Sequence, residues 1–83
     1  MKVEDIVRVV GRGHIVCSRL DDEVIHVGDK VTAGDTEFLV RGIEKWQYSK
    51  AVGLLLSPND LVCDSFKIGD EIEIITDYEQ AIF

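Results

Sequence analysis

Val3-Glu4-Asp5-Ile6-Val7-Arg8-Val9-Val10-Gly11-Arg12-Gly13-His14-Ile15-Val16-Cys17-Ser18-Arg19, read together with Val27-Gly28-Asp29-Lys30-Val31, decides the fold of this 83-residue chain. Ile6–Val10 is a β-branched run of strand type. It breaks at Gly11-Arg12-Gly13, where glycine permits the positive φ of a sharp corner or bulge. His14–Leu20 leaves that corner as a second strand, with Ile15 and Cys17 on one face because side chains alternate along a strand. Val27–Val31 turns the chain at Gly28-Asp29 into a third strand that runs through Ala33.

Outward from this stretch the strand signals continue. Asp21-Asp22-Glu23 reads as a polar turn and Val24–His26 as a short strand. Gly34-Asp35 is a hairpin signal between Val31-Thr32-Ala33 and Thr36–Ile43. Glu44–Lys50 is a polar and aromatic loop, and Ala51–Leu56 is a continuous apolar run suited to a strand covered on both faces. Ser57-Pro58-Asn59-Asp60 is a loop, since Pro58 has no N–H for a ladder. Ile68-Gly69-Asp70-Glu71-Ile72 repeats the pattern of Val27–Val31, which predicts two equivalent corners, and Glu73–Thr76 is the last strand. No useful stretch has a 3.6-residue period, so helices are expected to be single turns. Six or more short strands predict an all-β fold, a small closed antiparallel barrel over residues 1–77. Closure would leave no sheet edge exposed. Residues 78–83 form a C-terminal extension, either a frayed tail or a segment packed back through Tyr78, Ile82 and Phe83.

Composition narrows the class. A chain of this size buries only ~60–65% of its unfolded surface, enough for one modest core. It has no apolar run long enough to span a bilayer and no signal-type leader, and its two cysteines lack metal spacing. A cytoplasmic protein with reduced thiols is the expectation, with a Cys17–Cys63 disulfide the alternative. Net charge is −7, unevenly spread. Residues 1–59 carry eight Lys/Arg against nine Asp/Glu, whereas residues 60–83 carry seven Asp/Glu against Lys67 alone. The last third would repel a phosphate backbone. RNA would have to meet a face holding Arg8, Arg12, Arg19 and Arg41, unless these are scattered solvated positions.

The opening run and the Val-Gly-Asp-x-Val corner resemble the β-barrel domain that follows the GTPase domain in elongation factor Tu and related translational GTPases. The resemblance runs from Val3 to about Thr76 and includes Val52-Gly53-Leu54-Leu55-Leu56. It implies a barrel and, as function, a non-enzymatic binding or accessory module touching RNA or a ribosomal component. No Gly-x4-Gly-Lys-Ser/Thr loop is present, so no nucleotide binding is carried over. In that family the barrel helps hold the aminoacyl end of tRNA through an acidic pair, a Phe, a Thr and an Asn. The acidic pair stands here as Glu4 and Asp5. The other positions are Val7, Cys17 and Ala51, and Trp46 stands where the family has a histidine or similar residue.

The remaining chemistry is sparse. His14 and Cys17, three apart on a strand, point to opposite faces and cannot share a metal or form a nucleophilic pair. Adjacent Glu4 and Asp5 on an extended segment diverge, which disfavours paired acid–base work. No cofactor, metal or membrane partner is expected. Trp46 and Tyr48 alternate with Lys45, Gln47 and Lys50, a pattern that stacks bases or anchors a protein, or in which Trp46 simply caps an open barrel end. Arg12 projects from its corner toward a neighbouring domain or an internal carboxylate. The candidate binding residues are therefore Glu4, Asp5, Arg12, Arg41, Trp46 and Tyr48. A second reading is a protein-interaction or regulatory module whose acidic last third meets a basic protein partner.

Overall fold

The computed structural model describes residues 1–20, 23–46 and 50–75. Among them, six strands form one antiparallel sheet: β1 (Lys2–Val9), β2 (Gly13–Arg19), β3 (Lys30–Ala33), β4 (Thr36–Lys45), β5 (Ala51–Ser57) and β6 (Glu73–Ile75). Their spatial order is β1-β2-β5-β4-β3-β6. Tyr48 and the 78–83 extension lie outside the described residues.

The fold is mostly β, as expected, but the sheet is not closed by strand pairing, because β1 and β6, its two ends, do not pair. A seam stands between them. The segment just ahead of β6 lies along the first residues of β1. There Val3 N–H donates to Asp70 O at 2.9 Å, Gly69 N–H to Val3 O at 2.8 Å, and Ile72 N–H to Met1 O at 2.7 Å. Beyond Val3 this contact stops, since the chain ahead of Gly69 turns off at the Lys67–Asp70 corner, and at the Met1 end β6 goes on to pair with Lys30–Thr32 of β3.

Three boundaries differ from the sequence reading. β1 begins at Lys2, so Glu4 and Asp5 sit inside a strand rather than before one. β4 runs on through Glu44 and Lys45, carried by pairing with Gly53 and Val52 of β5. Val24–His26 is not a strand. Ile25 is still buried there, but its neighbours bond within the corner: His26 N–H donates to Asp29 Oδ2 at 2.9 Å and Asp29 N–H to His26 O at 3.1 Å.

The core lies on one face of the sheet. Val16, Val31, Phe38, Val40, Val52, Leu54 and Leu56 alternate inward from four strands, and Val3, Ile25 and Ile72 join them. Burial of such apolar surface, at roughly 25 cal/mol per Å², is the main force holding a fold this small. A 3-10 turn over Asn59–Leu61 leads into one helical turn, α1 (Val62–Ser65), as single-turn helices were expected. It delivers Val62 and Phe66 to the core, and the Phe66 ring meets Phe38 at 4.9 Å, tilted by 53°. That centroid separation lies in the range in which aromatic pairs attract, and the tilt avoids a face-to-face sandwich.

Asn59 fastens this cap to the sheet. His14 N–H donates to Asn59 Oδ1 at 2.9 Å, while Asn59 Nδ2 donates to His14 O at 2.9 Å and Leu56 O at 3.2 Å. The amide stands in for a missing strand, satisfying both backbone groups of His14. A Cβ on Gly13 would collide with this amide, and Gly13 also has φ +102°, so the second glycine of Gly-Arg-Gly is required twice over.

Candidate functional site

Strand register sets out the sheet's outer face row by row. Asp5 lies opposite Cys17, Cys17 opposite Gly53, and Gly53 opposite Glu44. The next row is Val7, Ile15, Leu55 and Gly42. Ile15 and Cys17 thus share a face as their spacing predicts, and it is the face away from the core.

Trp46, immediately after β4, covers this face. A Cβ on Gly53 would fall 3.0 Å from the indole Cη2 and 2.9 Å from Ile15 Cγ2, so only glycine leaves room for the ring. The indole remains 45% exposed, whereas Ile15 beneath is 4% exposed. Beside it is a shallow pocket of about 100 Å³ walled by Ile15, Gly42, Gly53 and Leu55. Arg12 reaches over from the β1–β2 turn and forms an ion pair with Glu44 at the pocket's rim. The internal carboxylate was one of its two expected partners.

The acidic pair sits at a β-bulge. Val3 faces Ser18 and Asp5 faces Cys17, which makes Glu4 the extra residue. The strand's alternation slips by one there, and Glu4 and Asp5 are both exposed where strict alternation would have separated them. Both carboxylates act on the same thiol: burial chiefly, then the negative charge of Asp5 and of Glu4, pushes Cys17 above its ordinary pKa. Cys17 and Cys63 are free thiols, so the disulfide does not form.

The arginines do not share one face. Arg19 is on the outer face with its Nε 3.6 Å from Glu4 Oε1, and Arg12 is held by Glu44. Arg8 lies opposite His14, one step out of phase with Val7 and so directed to the other side of the sheet. Arg41 is the extra residue of a second bulge, between Val40 and Gly42 of β4, and is exposed. Asp60, Asp64, Asp70, Glu71 and Glu73 of the acidic third are all exposed, spread over the cap, the second corner and β6.

Of the candidate set, then, Glu4, Asp5, Arg12 and Trp46 come together on the outer face, Arg41 stands apart, and Tyr48 is outside the described residues. Sequence reading missed Gly53, Ile15 and Glu44 as parts of this surface. Gly53 inside an otherwise apolar strand carried the signal, because such a glycine marks close approach of another group. Among the described residues no group of three or more His, Cys, Asp or Glu could hold a metal, and no helix is long and apolar enough to cross a membrane.

Comparison of the chain with protein-family models, with curated proteins and with solved structures finds no match.

Proposed function

We propose that this chain is a non-enzymatic binding module, built on a barrel of the translation-protein type, whose contact surface is the outer face around Trp46. The observation that carries this reading is the seating of a half-exposed indole on Gly53, with the Glu4/Asp5 bulge on one side and the Arg12–Glu44 pair on the other. An aromatic anchor within a ring of mixed charge has the anatomy of a protein-contact surface. The seam of backbone bonds at Val3 supports the barrel assignment, since it joins the sheet's two ends without a continuous ladder.

Resemblance to the barrel of translational GTPases makes the translation apparatus the setting. Within it a protein surface fits better than RNA. Affinity for phosphates comes from cations exchanging their counterions. Arg12 and Arg19, the arginines placed on the outer face, already face carboxylates. An RNA or ribosomal-RNA contact is the second reading, resting on the family-like Gly11-Arg12-Gly13.

A tagged pull-down from native lysate, with and without ribonuclease, tests the choice. The expected result is a stoichiometric protein that survives ribonuclease and is lost with Trp46→Ala. Recovery of tRNA or ribosomal RNA that disappears with Arg12→Ala would overturn it.

A further inference from the structure

We propose that the outer face takes an arginine of its protein partner, the guanidinium lying against the exposed part of the Trp46 indole with Asp5 as its counter-ion. This rests on the reading of that face as a protein contact and names the chemistry of what it contacts.

The row of the sheet beneath the indole runs Asp5, Cys17, Gly53, Glu44 from β1 to β4. Both of its charged members are carboxylates. Glu44 is held by Arg12. Asp5 is exposed, accepts the Ile6 N–H at 2.8 Å, and has no cation partner among the described residues. The neighbouring cations do not supply one. Arg19 faces Glu4, and Lys2, opposite Arg19, is two residues farther along the strands. Lys45 is opposite the buried Val52 and so directed to the other side of the sheet.

Cys17, between Asp5 and Gly53, reports the resulting field. After burial, the charges of Asp5 and then Glu4 hold its thiol above the ordinary pKa, even with Arg19 Nε 3.6 Å from Glu4 Oε1. A cation beside the indole is therefore drawn twice, by the ring quadrupole and by the carboxylates. Indole attracts cations more strongly than the other aromatic side chains. Neighbouring strands are about 4.8 Å apart, so Asp5 and Gly53, two strands apart, are separated by roughly 10 Å. A guanidinium resting on the ring falls between them. Its flat shape and fork of donors let it stack and bind a carboxylate at once, which an ammonium does less well. The chain's net charge of −7 favours a basic partner at long range as well.

Nuclear magnetic resonance titration of the full chain with capped Gly-X-Gly peptides tests this, X being arginine, lysine or citrulline, the uncharged isostere of arginine. The chain has a single tryptophan, so the indole N–H signal reports this site alone. The arginine peptide should shift that signal and the Gly53 amide saturably, and bind about threefold or more tighter than the citrulline peptide, with lysine between. Asp5→Asn, whose amide keeps an acceptor for the Ile6 N–H, should weaken the arginine peptide about two- to threefold and leave the citrulline peptide unchanged. Trp46→Leu keeps an apolar cover over Ile15 and, followed at Gly53, should abolish the preference for arginine. Arginine bound no better than citrulline or lysine, or bound with indifference to both substitutions, would overturn the proposal. So would an indole signal that the arginine peptide leaves unmoved at millimolar concentration. The contact surface itself would survive those results, since it fails only where capture from lysate is indifferent to Trp46→Ala.

Discussion

The corners at His26–Asp29 and Lys67–Asp70 are built alike, bond for bond. In the first, Asp29 Oδ2 accepts from His26 N–H at 2.9 Å, Asp29 N–H donates to His26 O at 3.1 Å, Gly28 N–H donates to Val40 O at 2.8 Å, and Val40 N–H donates to Asp29 O at 2.8 Å. In the second, Asp70 Oδ2 accepts from Lys67 N–H at 2.9 Å, Asp70 N–H donates to Lys67 O at 3.0 Å, Gly69 N–H donates to Val3 O at 2.8 Å, and Val3 N–H donates to Asp70 O at 2.9 Å. The glycines have φ of +101° and +97°. What differs is the strand each corner grips. The first fastens a near neighbour in the chain, Val40 of β4, and buries its aspartate to 4% exposure. The second reaches from the last third of the chain to Val3 of β1, and its aspartate is exposed. One four-residue device thus serves inside the sheet and across its seam, and its worth depends on where it is placed.

The largest effect removes the support that both corners share. Phe38, two residues before Val40, and Phe66, just ahead of Lys67, are in ring contact and almost fully buried. Phe66→Ala should cost about 3–5 kcal/mol. A domain this small has a total stability near the low end of ~5–15 kcal/mol, so the variant should be largely unfolded or close to it. In native-state hydrogen exchange the Gly28 and Gly69 amides should lose protection together. If Gly28 keeps its protection while Gly69 loses it, the corners rest on separate cores.

Burial should then split the two aspartates. Asp29→Ala leaves the His26 N–H without its acceptor at a nearly inaccessible site, which costs about 1–3 kcal/mol. Asp70→Ala exposes the equivalent Lys67 N–H to water, which replaces the acceptor, and should cost no more than about 1 kcal/mol. Urea denaturation of the pair measures the gap. Equal losses would mean that the seam depends on Asp70 as heavily as the sheet depends on Asp29.

A third prediction concerns the core behind the seam. Ser18 faces Val3 and Val52 with a buried hydroxyl that has no hydrogen-bond partner. Leaving such a group unsatisfied costs free energy that an apolar side chain of similar size does not. Ser18→Ala should raise stability by up to about 1 kcal/mol, read as an upward shift in Tm, and a lower Tm would show that the hydroxyl is satisfied after all.

These contrasts also mark what the sequence could reveal. The repeated apolar-Gly-Asp pattern was legible because its chemistry is local: a glycine that must take positive φ, and an aspartate that bonds back three residues. The bulges at Glu4 and Arg41 were not, because a bulge is a mismatch between two strands and neither strand carries it alone. For the same reason the sequence did not reveal that Glu4 and Asp5 stand at a bulge, both exposed. The Asn59 clamp joins positions 45 residues apart and leaves no periodic trace. Closure was not legible either, since short strands at regular spacing describe a strongly curved sheet as well as a complete barrel. Glu44 and Lys45, polar at a strand end, looked like loop until β5 paired with them.

The smallest effect tests whether the two corners are autonomous units. Each is a four-residue turn with an i+3 to i backbone bond, positive φ at its glycine and an exposed β-branched residue, Val27 or Ile68, before it. Among these residues positive φ is confined to the glycines, which makes the turns type II, a geometry that favours proline at the second position. Neither the Val27 nor the Ile68 N–H takes part in the corner's bonds. Val27→Pro and Ile68→Pro should therefore each stabilise by about 0.4–1 kcal/mol, mainly by restricting the unfolded chain. That contribution does not depend on what the corner grips, so the two gains should be equal within error by thermal or urea unfolding. A gain at Val27 with a loss at Ile68 would show that the seam corner is held in shape by Val3 and β1 rather than by its own four residues.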